Sequence, residues 1–134
     1  MIEIKVGHHP SKEDIIDLYK ANKWSSAKKP DQLYKGLVNS TQLITAYDND
    51  RLIGLANALS DGHLVVYYPH MLVHPDYHGK GIGRMIMDEY QKIYKDFHQQ
   101  ILVADGGAIE FYKKCGFVTA GETQSMWIYS GDDH

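Results

Sequence analysis

Apolar and polar residues alternate from Ile2 to Val6, with Ile2, Ile4 and Val6 on one side and Glu3 and Lys5 on the other, which predicts a half-buried strand. The period changes after His8-His9-Pro10. Ser11, followed three residues later by Asp14, is a helix-start signal, and Ile15, Ile16, Leu18 and Tyr19 give that helix an apolar side ending near Asn22. Pro30 predicts the first turn of a second helix carrying Leu33, Tyr34, Leu37 and Val38. Gln42 to Tyr47 and Arg51 to Leu59 flank the turn residues Asp48-Asn49-Asp50 and read as an antiparallel hairpin. A reversal at Asp61-Gly62 leads into another antiparallel strand, His63 to Val73, in which Pro69 imposes a bulge because it cannot donate to a ladder.

Helical spacing returns with Ile82, Met85, Ile86, Tyr90, Ile93 and Tyr94. Gln100 to Ala104 reads as a short buried strand. Gly106-Gly107 then opens a helix through Phe111 and Tyr112, which Cys115-Gly116 closes with glycine just past its end. Phe117 to Ala120 and Ser125 to Tyr129 are expected to add two closing strands. The order β-α-α-β-β-β-α-β-α-β-β is mixed α/β, an antiparallel meander feeding a strand, glycine loop, helix and strand unit. With no repeat or linker, residues 1–134 are expected to form a single domain.

Composition narrows the function classes. Hydrophobic residues at 43% supply a core, and a net charge of −3 gives none of the basic field that generic nucleic-acid binding requires, so no nucleic-acid partner is expected. The lone Cys115 allows no intrachain disulfide and suits a reducing compartment. No apolar run approaches the ~20 residues of a membrane span, so a cytoplasmic protein without a membrane partner is expected. Among the eight histidines, His8 and His9 are adjacent rather than helix-spaced, and no His-x-x-x-His or Cys-x-x-Cys pair occurs, so no metal site is expected.

The most informative segment is Val73-His74-Pro75-Asp76-Tyr77-His78-Gly79-Lys80-Gly81-Ile82-Gly83-Arg84, between a strand and a helix. Glycines let the backbone approach a ligand, the unpaired N–H groups and dipole at a helix start favour an anion, and Lys80 and Arg84 add positive charge. A diphosphate is a sensible occupant, although a merely tight strand-to-helix turn would use the same residues. The loop lacks the Gly-Lys-Ser/Thr ending of a nucleotide-hydrolysing phosphate loop, and Gly79-x-Gly81-x-Gly83 does not have the Gly-x-Gly-x-x-Gly spacing of a dinucleotide fold.

This stretch resembles the acetyl-CoA signature of the GNAT (GCN5-related N-acetyltransferase) superfamily, Gln/Arg-x-x-Gly-x-Gly/Ala, with Gly81 and Gly83 at its small positions and His78 where Gln or Arg is usual. A second segment, Ala108-Ile109-Glu110-Phe111-Tyr112-Lys113-Lys114-Cys115-Gly116-Phe117, is similar to the family's Ala-x-x-Phe-Tyr-x-x-x-Gly-Phe. The resemblance implies a central, mostly antiparallel sheet with splayed strands 4 and 5 flanked by helices. It implies pantetheine bound along Leu72 and Val73, and pyrophosphate bound by His78, Gly79, Lys80, Gly81, Ile82, Gly83 and Arg84. Acetyl-CoA is then the cosubstrate of an acyltransferase, and a homodimer is compatible with the family.

Acetyl transfer to an amine requires a deprotonated nucleophile, a polarised thioester and a proton for the departing sulfur. The resemblance assigns the last to Tyr112, whose phenol is protonated at neutral pH; the bland alternative is a tyrosine packed beside Phe111. His70 is a candidate base on the strand, against a solvated histidine, and would share a face with Tyr68 and Leu72 if the strand were regular. Trp24 could wall an acceptor cleft or anchor its loop. Asp61, Tyr67 and Tyr68 are further candidates for contact with a cationic amine. Cys115, at a helix C-terminus where the dipole disfavours a thiolate, reads as structural. The expected activity is transfer of acetyl from acetyl-CoA to a small-molecule primary amine by direct attack. A protein or peptide acceptor and a non-catalytic acyl-CoA-binding module are the alternatives.

Overall fold

A computed structural model of the chain describes residues 1–132. The strands are β1 (Ile2–Val6), β2 (Gln42–Asp48), β3 (Arg51–Ser60), β4 (Val65–Tyr68), β5 (Met71–Val73) and β6 (Gln99–Leu102). The helices are α1 (Lys12–Ala21), α2 (Pro30–Val38), α3 (Ile82–Tyr94) and α4 (Ala108–Lys114), with short 3-10 turns at Ser25–Lys28 and Pro75–Tyr77. The sheet runs β1-β2-β3-β4-β6, with β5 also on β3. All pairings are antiparallel except β4 with β6, which is parallel.

Local chemistry explains the helix ends. Ser11 Oγ accepts the Asp14 amide at 3.1 Å, and Pro30 occupies the first turn of α2, where its missing N–H costs nothing. At the end of α4 the Gly116 amide donates to Lys113 O and the Phe117 amide to Tyr112 O, both at 3.0 Å. This double closure needs the left-handed φ of 100° that Gly116 adopts.

The sheet separates two apolar clusters. Ile82, Ile86, Met87, Tyr90 and Tyr94 of α3 cover Ile44, Ala46, Ile53, Ala56 and Tyr68 on one face. Ile15, Leu18 and Tyr19 of α1, with Leu33 and Leu37 of α2, cover Leu43, Tyr47, Leu52, Leu55 and Leu72 on the other. Strand alternation produces this division, and an extra residue in β3 adjusts it. Tyr47 faces Leu52 but Ala46 faces Gly54, so Ile53 is unopposed. Gly54 suits the close packing there, because a Cβ would stand 3.2 Å from both Ala46 Cβ and Ile82 Cγ2.

Two expectations from the sequence are corrected. The strand expected from His63 to Val73 is two short strands separated by Pro69 and His70. The closing strands expected at Phe117 to Ala120 and Ser125 to Tyr129 are absent, and both segments are irregular. Met126, Trp127, Ile128 and Tyr129 are exposed, so alternation there presents apolar groups on both sides and sets no register. The chain end is instead tied to the α1–α2 loop, through Lys28 to the Asp132 carboxylate, Lys29 Nζ to Ser130 O, and the Asp132 amide to Ser25 Oγ.

Candidate active site

The site begins with a bulge. β3 pairs Ala56 with Met71 and Leu59 with Tyr67, so Asn57 and Ala58 stand opposite Tyr68, Pro69 and His70, one residue more. Asn57 holds the irregularity from both sides. Its amide donates to His70 O at 3.1 Å, its Oδ1 accepts the His70 amide at 3.0 Å, and its Nδ2 donates to Ser40 Oγ at 3.0 Å. It is one of two buried polar residues of the core, and these bonds satisfy groups whose burial unpaired would cost roughly 1–3 kcal/mol.

The bulge has two consequences. Tyr68 and Leu72, which a regular strand would place on one face, are buried in opposite clusters. Beyond the Tyr68 and Leu102 pairing, β6 ends while β5 stays on β3, so the two diverge. The His74 amide donates to Ile53 O at 2.7 Å. Strand alternation therefore directs the N–H and C=O of Leu72 to β3 and those of Met71 and Val73 to the open side. The free edge is thus Met71 and Val73, with the Leu72 side chain buried below.

The glycine loop continues from this edge into α3. Gly79 and Gly81 have φ of 77° and 78°, and a Cβ at either would meet nothing within 4 Å, so conformation rather than space calls for glycine there. Gly83 is different: a Cβ would lie 3.0 Å from Phe111 Cζ, and its absence lets α4 close on α3. The first helical bond of α3 runs from the Met85 amide to Gly81 O, leaving the Ile82, Gly83 and Arg84 amides at the positive end of the helix without intrahelical acceptors.

These elements surround a cleft of about 630 Å³ bordered by Met71, Val73, Gly79, Gly81, Gly83 and Tyr112. His78 also borders it and folds back, its Nε2 2.8 Å from Val73 O. The Arg84 side chain is committed elsewhere, donating to Asp88 and to Lys114 O at the end of α4. Lys80 Nζ lies over the Tyr77 ring, 5.2 Å from its centroid. Tyr77 in turn donates a 2.5 Å hydrogen bond to Asp48 Oδ2, which pins the loop to the β2–β3 turn and holds the Asp48 carboxyl below its usual range.

Tyr112 is partly buried between Phe111 and Phe117. Burial pushes its phenol up to about 12. Burial also raises the Cys115 thiol, in keeping with a structural cysteine rather than a nucleophile.

A second group of residues lies beside the cleft. Trp24 borders both the cleft and a cavity of about 240 Å³ shared with Ser26, Lys28, Lys29 and His70. His70 and Ser26 also border a third cavity, of about 290 Å³, reaching Asn57 and Gln32. His70 is not a solvated histidine: it is half-buried, its ring meets those of Trp24 and Tyr19, and Nδ1 is 2.8 Å from Tyr19 Oη. Burial holds the Tyr19 phenol far above its ordinary value, so the hydroxyl keeps its proton beside the His70 ring.

Three expected acceptor contacts fall outside these cavities. Asp61 Oδ1 accepts the amides of His63, Leu64 and Val65, which makes it the clamp of a turn and holds its carboxyl below the usual range, Leu64 contributing most. Tyr68 is core, 5% exposed, with its hydroxyl donated to Gln100 Oε1 at 2.7 Å. Tyr67 points outward from β4, and Leu59 is its partner on β3. Sequence reasoning placed Met71 on the strand edge with Leu72 and Val73 but missed Tyr77 and Asn57. Only Asn57 carried a visible signal, an amide inside the apolar run Ile53 to Ala58.

The donor set fits an extended diphosphate ligand. Neutral amides at a helix start suit phosphate, open strand positions suit an arm bearing amides, and the two adjoin in one cleft. Among the described residues no cluster could hold a metal ion, and no helix is long and apolar enough to cross a membrane.

Comparison with known proteins agrees with this geometry. The family model described as Acetyltransferase (GNAT) domain matches residues 8–127. The GNAT-family acetyltransferase of Streptococcus pneumoniae TIGR4 superposes with a TM-score of 0.82 at 30% identity, covering 96% of this chain and 98% of that one. A protein of unknown function from meticillin-resistant Staphylococcus aureus, titled "Probable Acetyltransferase", gives 0.84 at 31% identity, covering 97% and 100%. An uncharacterized N-acetyltransferase, ycf52, of Gracilaria tenuistipitata var. liui is 39% identical over 70 residues, 51% of this chain and 38% of the relative. The chain thus spans about two fifths of the length of the curated relatives matched first. The match over residues 8–127 and the superposition over nearly the whole chain lead to one assignment: the chain belongs to the GNAT family of acetyltransferases.

Proposed function

We propose that the chain transfers an acetyl group from acetyl-CoA to the primary amine of a small molecule by direct attack, without an acyl-enzyme stage. The observation that carries this reading is Trp24. It is a wall common to the cleft suited to the CoA arm and to the cavity beside His70, so two ligands could meet at its edge.

Acetyl-CoA supplies an activated thioester; the chain supplies orientation and proton management. The Ile82, Gly83 and Arg84 amides would hold the pyrophosphate, and the Met71 backbone groups with the Val73 amide would bind the pantetheine arm as an added strand. His78, tied to Val73 O, braces that edge. Lys80 adds charge nearby.

Tyr112 faces the departing sulfur in this reading. A phenol at about 12 is a weaker acid than an ordinary thiol near 8.5, so full proton transfer would run uphill by ~5 kcal/mol. Tyr112 therefore stabilises the sulfur as a hydrogen-bond donor, and protonation is completed by solvent. His70 acts by position. With Nδ1 held by the Tyr19 hydroxyl, its ring has a fixed orientation beside the acceptor cavity and helps to position the acceptor, and the amine loses its proton to water.

Calorimetric titration with acetyl-CoA, CoA and dephosphorylated CoA, followed by thiol release over an amine panel, tests the reading. Saturable binding that weakens without the phosphate, together with amine-dependent thiol release, is expected. Absence of binding would overturn it, and binding without release to any amine would favour an acyl-CoA-binding module.

A further inference from the structure

The cavity beside Trp24 has a chemistry of its own. Its floor is the 3-10 turn Ser25–Lys28, and its rim is Lys29 at the start of α2, where the helix dipole is positive. Lys28 and Lys29 therefore stand together at a helix N-terminus that has no side-chain cap.

Two further observations indicate what such a place receives. Ser26 Oγ is buried and makes no hydrogen bond among the described residues, although Ser26 borders both cavities that His70 borders. A buried hydroxyl is normally paired, so this one keeps an unused donor at the border of the cavity. In addition, the chain already places an anion there. Asp132 Oδ2 lies 3.1 Å from Lys28 Nζ, its amide donates to Ser25 Oγ at 3.1 Å, and Lys29 Nζ donates to Ser130 O at 3.2 Å. Both members of the Lys28 and Asp132 pair are about three-quarters exposed, so it is weak and readily exchanged.

We propose that the acceptor carries a carboxylate or phosphate beside its amine, that Lys28, Lys29 and Ser26 receive this anion, and that Asp132 is the internal anion it displaces. The amine is then directed past Trp24 and His70 to the cleft. This inference deepens the proposed acetyl transfer and depends on it for its chemistry, whereas the anion preference is a property of binding alone.

Matched pairs read the preference: β-alanine against β-alaninamide for the carboxylate, and phosphoethanolamine against ethanolamine for the phosphate. Each is titrated calorimetrically into the full chain with CoA and without it, and each is assayed for thiol release. In at least one pair the anionic member should bind about fivefold to tenfold more tightly, a range suited to exposed lysines. The pair that shows the ratio identifies the anion.

Lys28→Gln with Lys29→Gln should bring that ratio to about one, with an unchanged CoA titration as the folding control. Asp132→Asn should tighten the anionic member only. Equal binding within both pairs, no binding by any member, a ratio that survives the double substitution, or weaker anion binding in Asp132→Asn would each overturn the proposal. Preferential anion binding without thiol release would support the subsite and reject the transfer reaction, which separates the two failures.

Discussion

The two halves of the candidate site are built from different materials. The cleft proposed for CoA is mostly backbone: the Met71 and Val73 edge, the left-handed Gly79 and Gly81, and the first amides of α3. The cavity proposed for the acceptor is made of side chains from distant segments, with Trp24, Ser26, Lys28 and Lys29 from the α1–α2 loop, His70 from the bulge and Asp132 from beyond the last helix. A backbone site tolerates changes in most side chains and fails at a few glycines. A side-chain site can change its ligand by single substitutions while the fold stays intact.

The largest test of this contrast is Gly81→Val. A β-branched residue at φ 78° is strained, and its side chain would enter the anion position, so CoA affinity should fall about a hundredfold in calorimetry with the circular dichroism spectrum retained. Affinity within threefold of the parent would show that the loop does not touch the phosphates. Next is Tyr112→Phe, for which kcat should drop about 10- to 100-fold with CoA affinity unchanged, since only the hydroxyl is lost. A parallel loss of affinity would make Tyr112 a binding residue instead.

Asn57→Ala probes the joint between the halves. Loss of the Asn57 side-chain bonds to the His70 amide and Ser40 should lower unfolding free energy by about 1–2 kcal/mol in urea, and should weaken CoA and acceptor binding together. An effect on one ligand alone would show that the bulge is not shared. The smallest expected effect is in the pH profile. Burial raises the Tyr112 phenol to about 12, so its donor form persists and kcat should show no falling limb between about pH 8 and 10 from this group. A falling limb in that window, absent from Tyr112→Phe, would contradict the assignment.

The same division explains what the sequence disclosed. Ser11, Pro30 and Gly116 each act on their own few residues, and the helix ends follow them. Gly79, Gly81 and Gly83 similarly write the loop into adjacent letters. Pro69 announced an irregularity, yet its size depends on Asn57, twelve residues away on β3, and the resulting shift puts Tyr68 and Leu72 in opposite clusters. Asp61 shows how a carboxylate beside glycine serves a turn as readily as a ligand. The final strands failed for another reason: β propensity is local, whereas a ladder needs a partner, and the chain end instead engages the α1–α2 loop.

The placement of Trp24 has an optical consequence. The chain has two tryptophans, and Trp127 is stacked on Tyr129 with centroids 4.5 Å apart, far along the sequence from the partition. Replacing Trp127 by Phe would leave a single indole emitter that borders both the cleft proposed for CoA and the cavity proposed for the acceptor. Because indole emission responds to local polarity and water, the protein would carry a built-in fluorophore able to report the order in which its two ligands arrive.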